Sequence, residues 1–194
     1  LSIQTQVSEA FDTFAIEISV KLTEHVFEAL KTLSEGIIGD KNNKLSLSDE
    51  TLREIRPHIF TLLYRIIFIL YAEDRGMLPA HNPIYYEKFS LKWMKEKWFL
   101  KRTNEEQGLL LLLESNEVYN RLKNLFKLIE FGSEAFDYPK FSMRSYYGRL
   151  FDRDHNSKLE SWNISNSHLI KTLELLTTKI EDWSKTDEMH KVYL

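Results

Sequence analysis

The sequence predicts an all-α fold, and three observations lead to that prediction. Glycine and proline are sparse, with six and four residues in a chain of 194, which favours long uninterrupted helices. Apolar residues recur at steps of three and four over long stretches. No strand–helix alternation and no internal repeat is visible. We expect residues 1–194 to form a single helical domain, a bundle of about six to eight helices around one central buried helix.

The first predicted helix covers residues 3–33. Its apolar face carries Val7, Phe11, Phe14, Ile18, Leu22, Val26, Leu30 and Leu33 at helical spacing. After the loop GIIGDKNNK, a serine or aspartate of SLSDE caps the next helix, which runs to about Arg75 and is kinked or restarted at Pro57. Residues 59–71 are apolar nearly all round, so residues 58–75 are predicted to be the central buried helix.

Three further helical stretches complete the bundle. Residues 88–101 form one, residues 105–131 form one or two with residues 109–113 buried, and residues 167–182 form the last, capped by Ser165 or Ser167. The segment near 132–165 has little helical period. We expect it to be a long ordered loop that can include a short strand pair.

Composition limits the classes of function. The chain has no cysteine, which excludes a disulfide scaffold, a thiolate zinc site and a cysteine nucleophile, and which fits a cytoplasmic location. A net charge of −3 leaves room only for local basic strips. The longest apolar run, residues 59–72, is shorter than the roughly 20 residues that span a bilayer, so no membrane is expected. The opening residues resemble no signal peptide and include no initiator Met, so we expect an excised piece of a larger multidomain protein.

Motifs for catalysis and cofactor binding are absent from the sequence. No Asp or Glu has Lys two positions later, as a PD-(D/E)xK nuclease requires, and no GxG turn exists for a nucleotide or S-adenosylmethionine site. The six histidines have no HxH, HxxxH or HExxH spacing, and the Asp152–Asp154 pair is more typical of a turn than of a metal site. We therefore predict no catalytic, cofactor-binding or metal-binding residue in this chain.

One tetrad needs separate treatment. NPIY, residues 82–85, differs at one position from the NPPY tetrad with which DNA adenine methyltransferases hold a flipped base. Asn82 follows a helix and a proline turn rather than a strand. We interpret NPIY as a turn that opens a short helix at Ile84.

The stretch YAEDRGMLP predicts a specific helix end. Gly76 suits the left-handed position after the last turn, Met77 can pack back on Ala72, and Pro79 prevents continuation. Glu73 and Asp74 oppose the helix dipole there, so they need a compensating partner.

Two interpretations of that acidic pair are open. The first is structural: a salt bridge to a neighbouring helix that involves Arg65 or Arg75, with Arg65, Glu73, Asp74, Arg75 and Gly76 forming one structural motif. The second is functional: an acidic contact with a neighbouring domain or with a base edge of nucleic acid.

Residues 88–102, KFSLKWMKEKWFLKR, form what we call the basic strip. The segment contains one acidic residue, Glu96, and six cationic residues: Lys88, Lys92, Lys95, Lys97, Lys101 and Arg102. Trp93, Trp98 and Phe99 lie among them. On a helix the aromatic residues would anchor the core while the cations follow a DNA phosphate backbone. The alternative is a solvated helix face with extended lysines.

Four segments occur in an order that resembles a known family. They are LLYRIIFILYAEDRGMLP, YYEKFSL, YYGRLFDRDHNSKLE and SHLIKTLELL. Together they resemble the helical connector region of Eco57I-like single-chain type II restriction–modification enzymes, and a similar segment occurs in BREX-type phage-defence adenine methyltransferases. The resemblance covers about residues 50–180, and the closing HKVYL resembles the start of the segment that leads into the methyltransferase domain.

The resemblance implies a non-catalytic connector that holds nuclease and methyltransferase domains of the same chain in fixed relation and contacts the backbone of double-stranded DNA. It implies an adenine-N6 methyltransferase parent that uses S-adenosylmethionine and, with a nuclease, Mg²⁺. No cofactor is implied for this segment itself. The alternative is a self-contained helical module that binds a protein partner without DNA.

Overall fold

The computed structural model describes residues 23–101, 115–136, 141–146 and 148–177, with residues 98–101 as backbone alone. Its α-helices are α1 (residues 23–39), α2 (Asp49–Asp74), α3 (Pro83–Lys88), α4 (Leu91–Lys101), α5 (Glu117–Phe131), α6 (Ser157–Ser161) and α7 (Asn166–Thr177). Short 3₁₀ turns cover Lys41–Asn43 and Ser133–Ala135. The described ranges contain no β-strand, so the predicted all-α class is confirmed.

Helix α2 is the main helix of the core. Ser48 caps it by accepting the N–H of Thr51 at 3.1 Å, as the SLSDE pattern predicts. The helix continues through Pro57 without interruption, so the predicted restart does not occur. Its core face buries eight residues: Ile55, Ile59, Leu62, Leu63, Arg65, Ile66, Ile69 and Ala72.

The opposite face of α2 is exposed although it is apolar. Phe60, Tyr64, Ile67 and Tyr71 are 39%, 57%, 39% and 55% exposed, and we call them the α2 stripe. Their spacing of four, three and four residues places them along one line of the helix. The helix is long and apolar enough to cross a membrane by length and composition alone, but its other face lies in the protein core. The predicted central helix is therefore buried on its core side and not all round.

The end of α2 follows the predicted pattern. Gly76 has φ +66, its N–H donates to Glu73 O, and the N–H of Met77 donates to Ala72 O at 2.8 Å. These two bonds form a Schellman motif, which satisfies carbonyls at the end of the helix. Leu78, the next residue, is buried at 2% exposure, whereas Met77 is 47% exposed. The packing of Met77 on Ala72 stays a prediction.

The NPIY tetrad opens a short helix, as predicted. Asn82 accepts the N–H groups of Ile84 and Tyr85 at 2.9 and 3.3 Å, and Pro83 takes the first position of α3. The polar side chain that would hold a flipped base is thus used as a helix cap.

Helices α1 and α5 both pack against α7. Of the predicted apolar face of α1, Leu33 is fully buried, and Val26 and Leu30 are half-buried and packed against the core. Ala29 and Ile37, which the prediction did not include, are also fully buried. Asn166, the first residue of α7, accepts the N–H of Val118 at 2.8 Å near the start of α5. Gly36 lets α1 approach α7 closely, because a Cβ there would lie 2.9 Å from His168 Cβ.

The predicted loop near 132–165 is ordered where it is described, and it contains α6. Residues 141–146 are attached to the end of α5, since Ser133 N donates to Met143 O at 2.8 Å and Tyr146 N donates to Ile129 O at 2.7 Å. Gly132 has φ +78, and a Cβ there would lie 2.7 Å from Met143 O. No strand pair occurs in the described residues 141–146 or 148–165.

Several predictions fall on residues outside the described ranges. They concern the first helix over residues 3–22, the buried residues 109–113, the side chains of Trp98, Phe99 and Lys101, the residue Arg102, and the end of the last helix over 178–182. Ser165, one of the two predicted caps of α7, immediately precedes that helix, and its Oγ lies 2.7 Å from His168 Nδ1.

Candidate functional site

Glu73 joins the end of α2 to the start of α4. One carboxylate oxygen accepts the Tyr85 hydroxyl and the Leu91 N–H, both at 2.9 Å. The other accepts the Ser90 hydroxyl at 3.2 Å and the Lys92 N–H at 3.1 Å. The carboxylate therefore satisfies two of the free N–H groups at the start of α4, where the helix dipole favours a negative charge.

Burial raises the pKa of Glu73, and the four donated hydrogen bonds oppose that rise. The predicted salt bridge to Arg65 or Arg75 is not the arrangement found, because the partners of Glu73 are hydroxyl and amide groups of the α3–α4 segment. Asp74 and Arg75 are exposed, and the Arg75 guanidinium lies 5.4 Å from the centre of the Tyr71 ring. The acidic pair thus divides into a half-buried structural carboxylate and an exposed one.

Arg65 is fully buried and binds the segment after Gly148. Its Nε donates to Leu150 O at 2.6 Å, and Nη2 lies 3.5 Å from Asp152 O. The guanidinium lies 4.8 Å from the centre of the Phe126 ring and 5.6 Å from that of Phe151. Burial lowers the pKa of Arg65, while Glu160, Tyr119, Glu130 and Asp152 oppose that shift. Its partners are carbonyl groups and aromatic rings, which supports the structural interpretation of this residue.

The described part of the basic strip lies on α3 and α4. Lys88, Lys92 and Lys97 are exposed, whereas Lys95 is half-buried. Burial lowers the pKa of Lys95, and Glu96 and Glu174 oppose that shift. Three described lysines of the strip are therefore available to a ligand, and Lys95 packs towards α7.

Trp93 is half-buried and packs against the core, as the aromatic spacing predicts. Its ring also contacts two cations: the Arg121 guanidinium lies 4.6 Å and Lys97 Nζ 6.0 Å from the ring centroid. Arg121 belongs to α5, and its Nη1 donates to Glu87 O at 3.2 Å. The sequence did not single out Arg121, because it lies outside the basic strip and between residues with helical core spacing.

The described residues hold no group of three His, Asp or Glu side chains that could bind a metal ion. The DxD pair forms a turn, since Asp152 Oδ1 accepts the N–H groups of Asp154 and His155 at 2.9 and 3.1 Å. This arrangement agrees with the interpretation of that pair as turn chemistry.

Comparison with known proteins gave no match: no family model matches the sequence, and neither a curated protein nor a solved structure is significantly similar to it.

Proposed function

We propose that this chain is the non-catalytic helical connector of a cytoplasmic restriction–modification or phage-defence adenine-N6 methyltransferase. The observation that carries the proposal is the way in which the resembling segments bind one another. Glu73 of the first segment binds Tyr85 and Ser90 of the second, and Arg65 of the first binds the main chain of Leu150 in the third.

A connector must hold its shape without help from the domains that it joins. Two charged side chains of this domain, Arg65 and Glu73, both hydrogen-bond to distant segments of the chain. Arg65 bonds residues 85 and 87 positions away, and Glu73 bonds residues 12 to 19 positions away. Such contacts fix segments relative to one another and leave catalysis to the flanking nuclease and methyltransferase domains, with S-adenosylmethionine and Mg²⁺ bound there.

The DNA-backbone role rests on the exposed lysines of the basic strip. Lys88, Lys92 and Lys97 lie on helices that Glu73 and Arg121 attach to the domain. Lysines on such a fixed support can follow phosphates without reading bases, so their contribution should be independent of sequence.

The experiment compares two charge-matched triple variants of the full-length parent. Lys88→Glu/Lys92→Glu/Lys97→Glu should weaken binding to specific and non-specific duplexes alike and reduce the salt slope by about 0.9 per lost phosphate contact. Lys31→Glu/Lys41→Glu/Lys171→Glu changes the same charge at exposed lysines outside the strip and should leave binding near wild type. Equal losses in both variants, or no loss in either, would contradict the DNA role.

A second candidate function is a helical module that binds a protein partner without DNA. The α2 stripe favours it, because four apolar side chains in line on one helix are typical of a protein–protein contact. Tyr64→Ser/Tyr71→Ser should then abolish association with a separately expressed partner and leave DNA binding unchanged. In the connector, the same substitutions should loosen the packing of a flanking domain, which limited proteolysis of the full-length parent would detect.

A further inference from the structure

A cleft of about 470 Å³ opens between the first half of α2 and residues 149–156. Helix α2 lines it with Pro57, His58 and Thr61, and the other wall carries Arg149, His155 and Asn156. The cleft is open to solvent rather than enclosed, so a ligand bound there would remain partly exposed.

Arg149 supplies the positive charge of the cleft. It is exposed, and its guanidinium has no hydrogen-bond or ionic partner among the described residues. A guanidinium offers paired N–H donors whose geometry matches the oxygens of a phosphate or carboxylate.

His155 also lines the cleft. Its Nδ1 lies 3.0 Å from Asp152 Oδ2, and its other ring nitrogen, Nε2, can donate to an anion only in the protonated imidazolium form. Asp152 is a carboxylate on this wall's segment, and it already accepts two main-chain N–H groups and contacts the histidine. Those contacts offset its negative charge towards an incoming anion.

Arg65 places another positive group directly behind the wall. It holds Leu150, which also lines the cleft, through the 2.6 Å bond from Nε to the Leu150 carbonyl. Its Nη1 is buried and has no hydrogen-bond partner among the described residues. Two carboxylates near it, Glu130 and Glu160, are occupied by Arg153: Glu130 accepts the Arg153 N–H at 3.1 Å, and Glu160 accepts from Nη2 at 2.9 Å.

We propose that this cleft binds a phosphate group carried by a nucleotide or by a nucleic-acid backbone. The proposal is independent of the connector role, because the cleft residues of α2 lie 12 to 16 positions before Glu73, or about 18–24 Å along the helix. The cleft is therefore a separate site from the basic strip.

The test uses the full 194-residue chain with three probes: adenosine 5′-monophosphate, adenosine, and a short DNA duplex, titrated by calorimetry. A phosphorylated probe should bind saturably, and adenosine should not. Arg149→Gln should weaken the binding about tenfold, as expected for loss of a charge-assisted hydrogen bond. Arg144→Gln removes an exposed arginine from a neighbouring segment that does not line the cleft, and it should leave affinity unchanged.

The two sources of phosphate give different results. Binding of the mononucleotide without the duplex identifies a free nucleotide as the ligand, whereas duplex binding that Arg149→Gln weakens, without mononucleotide binding, identifies the DNA backbone. Binding of both that Arg149→Gln weakens also supports the site. If neither phosphorylated probe binds saturably, the proposal is overturned. Equal effects of Arg149→Gln and Arg144→Gln, in proteins that circular dichroism shows to be folded, also overturn it.

Discussion

The Tyr85 hydroxyl donates a hydrogen bond of 2.9 Å to the Glu73 carboxylate, between the last turn of α2 and the middle of α3. Tyr85 is fully buried, and burial together with the nearby carboxylate raises its pKa far above the usual value. The tyrosine therefore remains a neutral donor at all physiological pH values, and it holds the carboxylate in place to cap α4.

Removal of the Glu73 carboxylate should destabilise the domain. Glu73→Ala leaves two hydroxyl and two main-chain donors without their acceptor, and an unsatisfied buried donor costs about 1–3 kcal/mol. We expect a loss of at least about 2 kcal/mol in the free energy of unfolding, measured by urea denaturation. Asp74→Ala, which removes the neighbouring exposed carboxylate, should change stability by less than about 0.5 kcal/mol. Similar losses in both variants would show that charge near the helix end, rather than the cap, stabilises the fold.

Arg65→Ala should also destabilise the domain strongly. The substitution empties a fully buried position and removes the donor to the Leu150 and Asp152 carbonyls, so we expect a loss of about 3–5 kcal/mol. Arg53→Ala, at an exposed position on the same helix, is the control and should have little effect. A thermal melt of Arg65→Ala that superimposes on that of wild type would contradict the role assigned to Arg65.

The contact between α1 and α7 can be tested at two glycines of one helix. Gly36→Ala would place Cβ 2.8 Å from Ile164 Cγ2 and 2.9 Å from His168 Cβ, so the two helices must separate. We expect a loss of about 1–3 kcal/mol by denaturant unfolding. At Gly39 a Cβ meets nothing within 4 Å, so Gly39→Ala should be neutral or slightly stabilising. Equal effects at both positions would mean that helix propensity, rather than close approach, governs the outcome.

Stability should fall as the pH falls below about 6.5, the ordinary pKa of histidine. Burial lowers the pKa of His58 and of His168 in the folded protein, so the unfolded chain binds protons at these residues more readily. Their contribution to stability is complete above the unfolded pKa and decreases as the pH drops through it. The midpoint of urea unfolding, compared at pH 7.5 and 5.5, measures the effect.

A double variant assigns that pH dependence to these two residues. His58→Gln/His168→Gln should reduce the fall of the midpoint between the two pH values. His81→Gln, at an exposed position, is the control and should keep the fall as large as in wild type. An unchanged fall in the double variant would place the pH dependence on other groups.

Local features of the fold were predictable because short-range rules determine them. The Ser48 cap, the left-handed Gly76 and the Asn82 turn each depend on residues within a few positions of one another. The partners of Glu73 and Arg65 were not predictable in this way, because they lie 12 to 87 residues away. Periodicity indicates which face of a helix is apolar, but it does not indicate what that face meets.

The α2 stripe and Arg121 show the same limit. A helix that is apolar nearly all round has the same sequence pattern whether its own domain encloses it or one of its faces is exposed. Phe60 and Tyr71 were therefore predicted to be buried, although they are exposed. Arg121 joins the surface of the basic strip only because α5 places it against Trp93. That contact depends on how two helices pack, and the composition of either helix alone does not reveal it.

Helix α2 has 26 residues and is therefore about 39 Å long. In the first half of the helix its side chains line the cleft beside Arg149, and in its last turn Glu73 fixes the first turn of α4. One continuous helix therefore connects the cleft with the basic strip, two surfaces that share no residues. A displacement of α2 at the cleft would move the lysines of α4 with it, so the distance between the two surfaces would stay constant.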